Sequence, residues 1–285
     1  MLIVGDIGGT KANLALIEDG RIVKEDKFLC EHFQDFSEIL EKFIDRPVQR
    51  ACLALAGPVE DRMCQMTNLS WKIDAAALEK RHKIPRVDLL NDLEAAGWGL
   101  RRLGPQDLET LNVGRKQSGN QAILAAGTGL GMAGLYWDGK RHHPFASEGG
   151  HADFAPRDAQ ERELWQYLHE KFGHVSVEHV VSGMGVKQLY NFRGNQSPEV
   201  LEWFATLYGA AAGNVALQFL TRGGLYLAGG IAPKIVKELQ NGGFMKAFVD
   251  KGRFESLLKQ IPVHVVLNES LPLLGAWEYG LQASD

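Results

Sequence analysis

The sequence predicts an α/β protein of two lobes, each built on a mixed sheet, with loops facing a cleft. Three observations carry this. First, the apolar run Leu2-Ile3-Val4 leads into Asp6-Ile7-Gly8-Gly9-Thr10, and a second apolar run over residues 121–126 leads into Gly127-Thr128-Gly129-Leu130-Gly131. Second, each glycine turn is followed by a further strand pattern and an Asp-Gly hairpin signal, Asp19-Gly20 in the first copy and Asp138-Gly139 in the second. Strand, glycine turn, strand and hairpin therefore occur twice, with Gly127 lying 119 positions after Gly8 (127 − 8), the mark of an internally duplicated architecture. Third, strand patterns elsewhere alternate with helical ones, which implies a mostly parallel sheet whose ligands bind beyond the carboxyl ends of the strands.

The elements follow in order. Phe36, Ile39, Leu40 and Phe43 fall on one face of a helix over about residues 35–44. The near-continuous apolar run at 51–56, stopped by Gly57-Pro58, reads as a strand buried on both faces. A polar excursion containing Met66-Thr67-Asn68 and Trp71 comes next, then a helix from Asp74 to about His82 and a strand at 87–90 that ends at Asn91-Asp92. A helix of small residues at 94–100 then links the lobes. In the second half, helices are expected at about 159–172 and 198–220. The latter contains Gly209-Ala210-Ala211-Ala212-Gly213, small enough for close backbone approach. The strand at 224–228 runs into Gly229-Gly230, and Pro233 is placed for the first turn of a helix. The apolar segment 271–277 is expected to return to the first lobe. This gives a small lobe of 1–101 plus 271–285 and a large lobe of 102–270.

Composition narrows the function classes. At 285 residues, 45% hydrophobic and 23% charged, the chain can bury real cores in one large or two modest domains. It has no apolar window long enough for a membrane span and no signal-peptide pattern, and it reads as soluble and cytoplasmic. Three cysteines, Cys30, Cys52 and Cys64, without Cys-x-x-Cys spacing argue against a disulfide scaffold or a thiolate zinc site. A net charge of −4 with scattered basic residues gives no footprint for nucleic acid. A small-molecule substrate fits better.

The glycine turns suggest phosphate chemistry. Without a Cβ, the backbone N–H groups of Gly8-Gly9 and Gly127-x-Gly129 approach phosphate oxygens, and the hydroxyls of Thr10 and Thr128 add donors. Either turn taken alone is at least as well explained by a plain hairpin. Asp6 is more specific, because an acid at the end of an apolar strand needs a partner, and the metal of a metal–nucleotide is one. Asp92 sits at a strand end, where ligands are expected. Gly229-Gly230, between a strand and a helix start, is suited to the adenosine and ribose edge of a nucleotide, and equally to a tight turn.

These segments, in this order, resemble the bacterial glucokinases of the actin/hexokinase/Hsp70 superfamily. The resemblance covers nearly the whole chain: Asp6-Ile7-Gly8-Gly9-Thr10, Leu90-Asn91-Asp92, Gly127-Thr128-Gly129-Leu130-Gly131, Glu148-Gly149-Gly150-His151, Gly173 through Glu178 with Ser182-Gly183, and Ala228-Gly229-Gly230-Ile231. The most specific stretches are Asp153-Phe154-Ala155-Pro156 after the Glu-Gly-Gly-His motif, and Asp250-Lys251-Gly252-Arg253-Phe254 before Ile261-Pro262-Val263. The resemblance implies an actin-like ATPase fold and phosphorylation of D-glucose by MgATP. It further implies that Asp92 takes the proton of the sugar's 6-hydroxyl while Asn91, Glu148, His151 and Glu178 hold ring hydroxyls, and that Asp6 holds Mg²⁺, directly or through water.

Plainer roles stand beside these. Asp92 also suits the N-cap of a helix beginning at Leu93, and His174 and Glu178, four apart, suit a pair on one helical face. His142, His143 and His151 suggest a metal cluster, but the cysteines and Cys-x-Cys-Gly pattern of the related ROK sugar kinases are missing. Lys11 stands where glucokinases of this type often carry Asn. The competing functions are a ROK-like kinase of another hexose or N-acetylhexosamine, and a non-catalytic sugar sensor, which would need a DNA-binding module. The chain shows none ahead of its first strand. The oligomeric form is open, a homodimer being one outcome.

Overall fold

The computed structural model describes residues 1–282. The chain clusters into two compact units, Met1–Leu103 together with the stretch from Ser270, and Gly104–Glu269. Residues 283–285, which the sequence reading assigned to the small lobe, lie outside the described residues.

In the first unit, β1 (Leu2–Ile7), β2 (Lys11–Glu18), β3 (Arg21–Leu29), α1 (Phe36–Phe43) and β4 (Arg50–Leu55) are followed by the short strands β5 (Val59–Glu60), β6 (Met63–Gln65) and β7 (Lys72–Asp74). Then come α2 (Ala75–His82), β8 (Arg86–Asn91) and α3 (Asp92–Gly99). The main sheet has the order β3-β2-β1-β4-β8. Its pairings are antiparallel on the β2–β3 side and parallel on the β4–β8 side, so the sheet is mixed and not mostly parallel. The reason is local: Asp19 and Gly20 both take positive φ, 49° and 72°, which closes a two-residue hairpin and forces antiparallel return. Asp35 caps α1 by accepting from the Glu38 N–H at 3.0 Å, and Phe36, Ile39, Leu40 and Phe43 bury against Ile3, Ile7, Leu14 and Leu53. The polar excursion proves to be the three-stranded sheet β5-β6-β7. Its strands of two to three residues are too short for any alternation to register.

The second unit contains β9 (Leu108–Asn112), β10 (Gln121–Ala126), β11 (Leu130–Trp137), β12 (His142–Ser147), α4 (Ala159–Phe172), α5 (Gly183–Arg193), α6 (Pro198–Phe219) and β13 (Gly224–Ala228). It ends with α7 (Val236–Gln240), α8 (Gly243–Val249), α9 (Glu255–Leu258) and β14 (Val263–Val266). Its sheet runs β12-β11-β10-β13-β14-β9, repeating the plan of the first unit, an antiparallel meander then parallel strands, with one further strand, β9, added antiparallel to β14. The core lies between this sheet and α6, where the buried Tyr208 hydroxyl donates to the Leu124 carbonyl at 2.9 Å. The strand β12 escapes a pattern reading because His-His-Pro-Phe-Ala-Ser does not alternate. As an edge strand it tolerates Pro144, which sits opposite Leu135.

The C-terminal helix α10 (Leu271–Gln282) clusters with the first unit. Leu273 and Ala276 pack with Leu2, Val4, Ala54, Ala95 and Trp98 on the sheet face opposite α1.

Candidate active site

In the first unit, β1 delivers Asp6 opposite Asn13 of β2 and beside Ala54 of β4. Directly opposed residues point to the same face, so the Asp6 carboxyl and the Asn13 amide are neighbours. Burial, and then the nearby charge of Asp92, raise the Asp6 pKa to about 7. The Gly8-Gly9-Thr10 turn closes on itself, the Gly8 N–H donating to the Lys11 carbonyl at 2.9 Å, and Thr10 and Lys11 are exposed.

The end of β8 corrects one reading. The residue that caps α3 is Asn91, not Asp92: its Oδ1 accepts from the N–H groups of Leu93 (3.0 Å) and Glu94 (3.3 Å), and its Nδ2 donates to the Gly57 carbonyl at 3.2 Å. Asp92 is the first helical residue, its Oδ1 accepting from the Leu93 N–H at 2.9 Å. A carboxylate at a helix N-terminus is favoured in its charged form by the helix dipole. Nearby, burial first and the Asp92 charge second push the Cys64 thiol up to about 11, so it stays protonated.

In the second unit, the Gly127 N–H donates to the Gly129 carbonyl at 2.9 Å, and the Gly127 carbonyl accepts from the Gly183 N–H at 2.8 Å, leaving Thr128 exposed at the tip. The Ala126 carbonyl, at the end of β10, accepts from the Ile231 N–H at 3.1 Å. The Gly127 turn and the Gly229-Gly230 turn thus lie side by side at the carboxyl ends of adjacent parallel strands. The helix expected at Pro233 begins instead as a 3-10 turn, Ala232–Ile235.

Three of the four residues expected to grip ring hydroxyls come together. Glu148 precedes and His151 ends the 3-10 turn Gly149–His151, with the His151 N–H donating to the Glu148 carbonyl at 3.0 Å. His151 lies 4.0 Å from Glu148 through Nε2 and 4.0 Å from Glu178 through Nδ1. Glu178 Oε2 accepts from the Leu130 N–H at 2.8 Å, which fastens this carboxylate to the glycine turn. A Cβ at Gly129 would collide with that same carboxylate and displace it. The helical pairing of His174 with Glu178 does not occur. Glu178 lies in the short 3-10 turn Val177–His179, while His174 contacts Asp153 (3.4 Å) and the His151 carbonyl (3.0 Å). Among the described residues, no cluster of three His, Cys, Asp or Glu side chains is placed to hold a metal ion.

Asn13 is the residue the sequence reading passed over. Its Oδ1 is buried without a hydrogen-bond partner. An amide within a strand carries no motif signal; its position opposite Asp6 becomes visible only through the β1–β2 register. The half-buried Asp6 carboxyl, once ionised, and the unpaired amide oxygen of Asn13 on the same face offer acceptor oxygens of the kind that the water shell of a divalent cation takes.

Comparison with known proteins identifies the family. The glucokinase family model matches residues 3–198 and 193–283. A glucokinase of Nostoc punctiforme is 37% identical, over 97% of this chain and 97% of its own, and one of Synechocystis is 38% identical over 96% of each. The crystal structure of a glucokinase from an Antarctic psychrotroph superposes with a TM-score of 0.87 at 27% identity, covering 98% of both chains. A ROK family glucokinase from Streptomyces griseus, solved with glucose and AMPPNP, shares the fold at a TM-score of 0.60 and 20% identity, over 99% of each chain. Family model, near-full-length relatives and the duplicated sheets converge, and the chain belongs to the glucokinase family.

Proposed function

We propose that the chain transfers the γ-phosphoryl group of ATP to the 6-hydroxyl of D-glucose, giving glucose 6-phosphate and ADP, with Asp92 as general base. The observation that carries this reading is the convergence of the Glu148 and Glu178 carboxylates on the His151 imidazole, each at 4.0 Å, a polar cluster suited to a polyol.

Hydroxyls both donate and accept, so carboxylates, an imidazole and an amide can satisfy them. Glu178 has Oε2 committed to the Leu130 N–H and offers Oε1 to the sugar. Asn91 has both lone pairs of Oδ1 and one N–H engaged, which leaves one N–H as a donor. Asp92 takes the proton as the 6-oxygen attacks; fixed at the start of α3, it pays little reorganisation. Phosphoryl transfer otherwise requires positioning and charge neutralisation. Gly8 and Gly127 spend their own N–H groups on closing their turns, so the phosphates fall to the groups that follow, Gly9-Thr10 and Thr128-Gly129. Gly229-Gly230 supports the nucleoside edge. Magnesium, when bound, neutralises phosphate charge, and Asp6 with Asn13 would hold it through its water shell.

A coupled assay over donors and hexoses tests the reading. ATP with glucose should give the highest kcat/KM. N-acetylglucosamine should fail, because its 2-acetamido group is bulky and removes a hydroxyl that the cluster pairs with; faster turnover of N-acetylglucosamine than of glucose would refute the substrate.

A further inference from the structure

The two most specific motifs of the sequence, Asp153-Phe154-Ala155-Pro156 and Asp250-Lys251-Gly252-Arg253-Phe254, take no part in the proposed reaction, yet they meet. Phe154 and Ala155 from the first, Arg157 just after it, and Lys251 from the second line one pocket of about 110 Å³ in the second unit, closed by Val177, Val180 and Leu207 and edged by Asn214.

Charge counting shows what this pocket wants. The buried Glu161 carboxylate accepts from the Arg157 backbone N–H at 2.9 Å and from its Nε at 3.1 Å, and also pairs with Nη2, so Arg157 and Glu161 cancel. Lys251 has no such partner: among the described residues no hydrogen bond or ion pair engages its ammonium group, and the neighbouring Asp250 and Glu161 act on it only at longer range. Burial, then the Arg157 charge, hold its pKa below the ordinary lysine value, the sign of a cation short of compensation. The ammonium stem reaches its place across Gly213 of α6, where any Cβ would meet Lys251 Cε at 2.8 Å. One uncompensated cation, one exposed side-chain amide on Asn214, and apolar walls remain.

We propose that this pocket binds a small organic monocarboxylate, its carboxylate on Lys251 and Asn214 and its short apolar tail against Phe154, Val177 and Leu207. A dianion would need a second free cation, and Arg157 is already neutralised. The volume equals that of about four waters, room for a short-chain acid. None of the residues proposed to contact sugar, phosphate or metal lines the pocket, so the site is separate from the reaction and regulatory in character. Val177 and Val180 flank Glu178 in the chain, which places an occupant directly behind the proposed sugar loop.

Calorimetric titration of the full chain with acetate, butyrate, octanoate and inorganic phosphate, at constant ionic strength, tests this without requiring kinase activity. Saturable binding is expected for butyrate, tighter than for phosphate and lost for octanoate, with the affinity reduced at least tenfold by Lys251→Met and severalfold by Asn214→Ala. Asn214 is exposed, so its variant serves if Lys251→Met does not fold. Binding should persist in saturating glucose or AMPPNP. Absence of saturable carboxylate binding, equal affinity in the folded variants, or displacement by AMPPNP would each overturn the proposal, the last by making the pocket part of the nucleotide site.

Discussion

Asp6 is a half-buried carboxyl in the first unit, and its raised pKa makes a prediction with a definite sign. A folded pKa of about 7, against about 4 in the unfolded chain, means that the folded state holds this proton more tightly. Stability is therefore lost as pH rises from about 4 through about 7 and is level above. In metal-free protein, Asp6→Asn removes this penalty, so its thermal midpoint should exceed that of the wild type by more at pH 8 than at pH 5, by an energy on the order of a few kcal/mol. An equal gain at both pH values would place the strain elsewhere. Asn13→Leu leaves Asp6 without its neighbouring amide, and Mn²⁺ binding followed by electron paramagnetic resonance should weaken about tenfold, as for loss of one outer hydrogen bond. At Asp92 the expected loss is in kcat: Asp92→Asn keeps the shape and the Leu93 N–H contact but cannot accept a proton, so turnover should fall about 10²–10⁴-fold while glucose binding survives. Asp6 and Asp92 were legible as single residues because each is an acid at a strand end. Asn13 was not, since its meaning depends on what lies across the strand.

At the scale of elements, the crossing of α3 and α10 is the tightest packing in the first unit. A Cβ on Gly275 would overlap the Ala95 carbonyl oxygen, and one on Gly99 would meet Leu271, so the two helix backbones touch with no side chain between them. Gly275→Ala should cost about 1–3 kcal/mol through forced separation of the helices, read as a lower urea midpoint with unchanged m value. Gly230→Ala is the control, for a Cβ there meets nothing within 4 Å. A Gly275→Ala midpoint as high as that of Gly230→Ala would mean the helices can part freely. The existence of α10 could be read from its apolar residues. Its partner could not, because a run of small residues announces close approach without naming the surface approached.

At the scale of the whole molecule, chain order and structural order diverge. The second unit is one continuous segment, Gly104–Glu269, whereas the first depends on the stretch from Ser270 to cover Leu2, Val4, Ala95 and Trp98. A fragment of residues 104–269 should therefore fold cooperatively by circular dichroism, and a fragment of 1–103 should do so only when 270–285 is supplied in trans. Cooperative melting of 1–103 alone would show that α10 is dispensable to that core. The duplicated plan of glycine turns and hairpins was determined by sequence alone, because hairpin geometry and strand alternation are set by residues within a few positions of one another. So were the buried faces of α1 and β4, fixed by side-chain periodicity. Tertiary structure alone decided that Asn91 and not Asp92 caps α3, that Glu178 is fastened to Leu130, and that Asn13 faces Asp6. The last two depend on strand register or on a contact between distant segments, and the Asn91 amide, though its cap is local, is held by the distant Gly57 carbonyl; the free energy that selects such contacts comes from burying cores assembled from the whole chain, which no local window of residues contains.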